Sequence, residues 1–82
     1  MKYRKKAVVI DAVPWVGDFQ PIQEMIPAGT PDPFRMTEDG VLQILTLEGT
    51  MTAAIGDWII RGVSNEFYPV KDHIFNATYE AA

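Results

Sequence analysis

The sequence predicts an α+β domain, mainly antiparallel β, built as a strongly bent meander or small barrel with one short helix. Three observations carry this. Short runs of β-branched and aromatic residues recur along the 82-residue chain. Turn pairs such as Asp39-Gly40, Glu48-Gly49 and Gly56-Asp57 punctuate them at the short spacing of a meander. Only residues 19–26 place apolar side chains at helical spacing.

Residues 6–12 read as the first strand, because Ala7-Val8-Val9-Ile10 is apolar and β-branched. Val8 and Ile10 point one way, Ala7 and Val9 the other. Val13-Pro14-Trp15-Val16-Gly17 breaks the strand, and Asp18 is suited to cap a helix. Phe19, Ile22, Met25 and Ile26 form that helix's apolar face, with Pro21 in its first turn and Pro27 and Gly29 ending it.

The meander follows, with strands expected at 34–37, 41–47, 50–54, 58–61 and 66–70. Asp72 starts a single helical turn over residues 72–75, and residues 78–80 read as a last short strand. That strand is expected to pair with the first, because an open sheet edge invites aggregation. The whole chain, 1–82, reads as one domain without repeats or linkers.

Several strands are apolar on both faces. Val41, Leu45 and Leu47 lie on one side of their strand, with Leu42 and Ile44 on the other. Trp58 and Ile60 share a side, with Ile59 opposite, and Trp58 is expected in the core. A chain of this length buries only about 60% of its unfolded surface. Burial of the second face against another copy is therefore expected, the alternative being a closed barrel with a partly apolar outside.

Composition narrows the chemistry. Cysteine is absent and His73 is the single histidine, so thiolate and multi-histidine metal sites are excluded within one chain, and no cofactor is expected. Ser64 is the single serine and sits in a Gly-Val-Ser-Asn turn, while His73 falls in the helical turn after Asp72. Neither is placed as a nucleophile–base pair, and no phosphate-loop or dinucleotide-binding motif is present. Asp18, Asp39 and Asp57 are explained by a cap and two turns. No catalytic residue is assigned, and the expectation is a protein that is not an enzyme.

Charge is divided along the chain. Residues 1–6 hold four basic side chains. Residues 7–82 hold three basic and eleven acidic ones, a net charge of −8. Such a body repels phosphate backbones, so long nucleic acid is not an expected partner. The apolar run after the basic tip is four residues long, against about 7–15 for a signal peptide and about 20 for a membrane span. The expected location is the cytoplasm, with no membrane partner.

The remaining candidates for holding a small anionic, nucleotide-like ligand are Arg4, Lys5, Lys6, Arg61 and Lys71, with Trp15 and Tyr68 as aromatic surfaces. Trp15 follows a proline in a turn and is expected to be half exposed. The simpler reading for Arg4 and Arg61 is a surface ion pair with Glu48 or Glu66.

The opening Met1-Lys2-Tyr3-Arg4-Lys5-Lys6-Ala7-Val8-Val9-Ile10-Asp11-Ala12-Val13, followed by Trp15, resembles the start of a family of small phage and prophage proteins. Thr46-Leu47-Glu48-Gly49-Thr50-Met51-Thr52-Ala53 is similar to its middle. Gly56-Asp57-Trp58-Ile59-Ile60-Arg61-Gly62-Val63, Glu66-Phe67-Tyr68-Pro69-Val70-Lys71, Ile74-Phe75 and Thr78-Tyr79-Glu80 are similar to its end. The chain departs from the family at Ala7, where proline is usual, and at Asn65, where glycine is usual. Residues 16–37 carry no transferable site. The resemblance implies a phage accessory protein without established catalytic activity. By analogy with its class, it implies a counter-defence sponge that sequesters a nucleotide signal at a homo-oligomer interface. The alternatives are an inhibitor that binds a host protein and a structural protein of virion assembly.

Overall fold

The computed structural model describes residues 1–4 and 6–82. In chain order the elements are β1 (Asp11–Pro14), α1 (Phe19–Gln23), β2 (Phe34–Met36), β3 (Leu42–Thr46), β4 (Gly49–Ala53), β5 (Trp58–Arg61), β6 (Phe67–Val70) and α2 (Asp72–Thr78). They build two antiparallel three-stranded sheets. Sheet B is the meander β2-β3-β4, and sheet A has the order β1-β5-β6. The mainly antiparallel α+β architecture is the one the sequence predicts.

Local chemistry explains most boundaries. Asp18 accepts a hydrogen bond from the Gln20 backbone N–H at 3.0 Å, capping α1. The helix then tightens, with Met25 N–H donating to the Ile22 carbonyl at 3.2 Å and Ile26 N–H to the Gln23 carbonyl at 3.1 Å. The β2–β3 hairpin turns at Asp39-Gly40, where Gly40 adopts φ 78°, a region closed to most side chains. Asn65 holds φ 58° in the β5–β6 turn. Asparagine tolerates that conformation better than most residues with a side chain.

One core lies between the sheets and beneath α1. It gathers Trp15, Ile22, Met25, Phe34, Leu42, Ile44, Ala53, Ile59 and Phe67, with Val13, Phe19 and Ile26 packed at its margin. Full burial of each large apolar side chain contributes about 1.5–3 kcal/mol before chain entropy is counted. Leu42 and Ile44 face inward, while Val41, Leu45 and Leu47 are exposed, matching the expected division of that strand.

Three expectations are corrected. The first strand is residues 11–14, not 6–12. Asp11 pairs with Arg61, the last residue of β5, so residues 6–10 have no neighbouring strand within the chain. The helical turn at Asp72 continues for seven residues to Thr78, so residues 78–80 form no strand and the chain's two ends do not pair. Neither sheet closes into a barrel. Among the described residues, no helix is long and apolar enough to cross a membrane.

Candidate functional site

The register of sheet A decides which side chains share a face, because directly paired residues of antiparallel strands point the same way. Val13, Ile59 and Arg61 and Phe67 lie on the core face. Ala12, Trp58, Ile60, Tyr68 and Val70 lie on the opposite, outer face.

α2 crosses this outer face. Phe75 stacks on Trp58 with ring centroids 4.0 Å apart and planes 10° from parallel, and Tyr79 leans on Phe75 at 5.2 Å. The Trp58 indole N–H donates to the Asp72 carboxylate at 2.9 Å. Ile60, on the same face, is fully buried without joining the main core. The outer face thus carries a second apolar layer. Trp58, expected in the core, is the half-buried centre of that layer.

Beside the aromatic stack is a cleft of about 440 Å³, bounded by Val8, Val9 and Ile10 on one side and by Phe75, Asn76 and Tyr79 on the other. Its walls are mainly apolar. Tyr68 lies on the same face. Burial, then a hydrogen bond with Tyr79 and the nearby charges of Tyr79 and Glu66, push its phenol up to about 12. The group is therefore a neutral hydrogen-bonding surface at physiological pH.

The sequence-predicted ligand residues do not converge within one chain. Arg4 and Lys6 lie on the exposed segment before β1, and Lys5 is outside the described residues. Trp15 is corrected from half exposed to 1% exposed: it fills the core, edge-on to Phe19 at 5.6 Å, and cannot touch a ligand. Arg61 is on the core face and Tyr68 on the outer one, so the sheet itself separates them. The Arg61 guanidinium pairs with Asp11 and donates to the Met25 carbonyl at 2.7 Å, tying β5 to β1 and to the end of α1. Its partner is not Glu48 or Glu66, the acids expected from sequence.

Lys71 pairs with Asp57 at 3.0 Å. The buried Asp57 carboxylate also accepts the Ala54 backbone N–H at 2.9 Å, and the Asp57 carbonyl accepts from Trp15 N–H at 2.7 Å. Asp57 therefore shapes the turn into β5, as its Gly-Asp context predicts. Among the described residues, no group of three or more histidine or acidic side chains is placed to hold a metal ion.

Sequence reasoning missed Phe75 and Tyr79. Their signal was present: Asp72, Phe75 and Tyr79 recur at i, i+3 and i+7, one face of a helix, once the turn after Asp72 is allowed to continue. No protein family, no curated protein and no solved structure matches this chain.

Proposed function

We propose that this is a non-enzymatic binding protein that works as a homo-oligomer, a phage accessory protein acting in the host cytoplasm, in keeping with the family it resembles. The observation that carries the reading is the apolar surface the single chain leaves uncovered. Val9, Val16, Leu47, Ile55 and Val63 are between 65% and 101% exposed. Scattered apolar side chains are ordinary on a surface, but this many large ones on so small a domain favour a partner surface.

The ligand version of this reading is sequestration of a small nucleotide-like anion between subunits, in the manner of a counter-defence sponge. Its cations are those of the N-terminal segment, Arg4 and Lys6 with Lys5, because Arg61 and Lys71 already serve carboxylates. Its flat surface is Tyr68 on the outer face, met by a neighbour's basic segment. Cation and aromatic face together suit a phosphorylated base, while the acidic body repels longer chains.

The experiment is native purification from infected cells, followed by heating and mass spectrometry of what is released. A nucleotide released unchanged from the parent and absent from the Arg4→Ala, Lys6→Ala variant supports sequestration. A single co-purifying host protein with no released nucleotide moves the inhibitor reading ahead. Recovery in purified virions would point to the assembly role. A protein that sediments as a monomer at micromolar concentration would refute the homo-oligomer.

A further inference from the structure

We infer that two copies of this chain join edge to edge, with residues 6–14 of one pairing antiparallel to residues 6–14 of the other across a two-fold axis near Ile10. This rests on the homo-oligomer reading above and names its interface. The partner is a second copy, and four observations point to it.

First, β1 is an edge strand, bonded to β5 on one side alone. Second, the segment that continues it is Ala7-Val8-Val9-Ile10, whose β-branched residues favour a strand, yet Val8 and Val9 are 48% and 79% exposed and pair with nothing. It lacks a partner within the chain because β5 ends at Arg61, opposite Asp11. A second copy of the same segment supplies one, and the paired edges cease to be open.

Third, the charges complement. The six-residue tip carries four basic side chains and the body a net −8, and antiparallel pairing lays each tip along the other copy's body. A two-fold at Asp11 would set two carboxylates opposite each other, which is unfavourable. Moving it to Ile10 sets Ile10 against Ile10, Val8 against Ala12 and Ala7 against Val13. It also aims Lys2 at the partner's Asp18.

Fourth, the same register brings Tyr3, 86% exposed, to the partner's Val16 and Ile55, 65% and 67% exposed. These two lie together, since the Ile55 Cδ1 is 3.6 Å from the Cβ position of Gly17, the neighbour of Val16. Face parity holds as well. Val8 and Ile10 fall on the side of Ala12 and Ile60, so they lengthen the outer apolar layer of sheet A rather than oppose it. The product is one six-stranded sheet, β6-β5-β1 continued by the partner's β1-β5-β6.

The test uses the full chain. Val8→Pro removes a donor that this register aims at the partner's Ala12, in a segment outside the core, and should keep the circular dichroism of the parent while raising the dimer dissociation constant at least about tenfold. Because the chain has no cysteine, Ile10→Cys introduces the sole thiol, and mild oxidation should yield a covalent dimer much faster than for Leu47→Cys. If the parent is an oligomer but Val8→Pro leaves it unchanged, or Ile10→Cys links no faster than Leu47→Cys, this interface is wrong while the homo-oligomer stands. If the parent is a monomer, both fail.

Discussion

The two sheets share the same size and strand direction but differ in how they meet water. Sheet B is one-sided. Phe34, Leu42, Ile44 and Ala53 face the core, and the opposite face carries Arg35, Gln43, Thr50 and Thr52 with Leu45 among them. Sheet A is covered on both sides. Ile59 enters the main core, while Ile60, next to it and equally buried, lies on the outer face that carries Trp58. Alternation along a strand thus marks a solvated face in one sheet and two apolar layers in the other. A seven-residue helix with no buried residue of its own makes that difference, through Phe75 and Tyr79.

The sharpest way to break the comparison is to truncate neighbouring residues in each sheet. In sheet A, Ile59→Ala and Ile60→Ala should each cost about 2–5 kcal/mol in denaturant unfolding. In sheet B, Ile44→Ala should cost the same, but Leu45→Ala, at a position 44% exposed, no more than about 1 kcal/mol. An Ile60→Ala loss as small as that of Leu45→Ala would mean that the second layer contributes little.

A smaller effect isolates the helix. Phe75→Ala removes the stack on Trp58 and should cost about 1–3 kcal/mol, with a change in Trp58 fluorescence and faster hydrogen exchange in β5. Sheet B amides should keep their protection. Equal loss in both sheets would show that α2 supports the whole molecule rather than one face of it.

Asp57 probes the link between the sheets, since its turn joins β4 to β5 and its carboxylate reaches Lys71 beyond β6. Asp57→Asn retains an acceptor for Ala54 N–H and loses the ion pair with a largely exposed lysine, so unfolding should shift by no more than about 1 kcal/mol. Asp57→Ala also removes the carboxylate that accepts the part-buried Ala54 N–H and should cost about 1–3 kcal/mol. Similar losses for both would assign the role to the charge and not to the turn.

The smallest effect is a titration on the outer face of sheet A. Tyr68 has its folded pKa raised from 10.0 to about 12, so the folded chain keeps a proton that the unfolded chain gives up in that window. The associated stability is fully present below pH 10 and is lost as pH rises through about 12. Ultraviolet titration should show one tyrosine ionising late. Tyr79→Phe should bring its midpoint down only part of the way, because burial, the largest cause, remains. A midpoint at the ordinary value in the parent would contradict the covered outer face.

What residues specify through their neighbours in sequence was legible in advance. The Asp18 cap, the Asp39-Gly40 hairpin, the Gly56-Asp57 turn and the inward and outward sides of β3 follow from local backbone preference and period-two alternation. The mixed charge distribution, basic tip and acidic body, is likewise a property of the sequence alone. Other features depend on which strand lies beside which. Ala7-Val8-Val9-Ile10 has every local feature of a strand, yet lacks a ladder within the chain because its would-be partner turns at Gly62. Trp15 and Trp58 exchange expected roles for the same reason. Trp15 follows β1 into the space between the sheets, whereas Trp58 points to the face that α2 covers. Arg61 and Tyr68, candidates for one site from sequence, are set on opposite faces by the β5–β6 register. Composition can nominate such residues, but a sheet assigns their faces through pairing between segments distant in sequence, and only the tertiary structure contains that pairing.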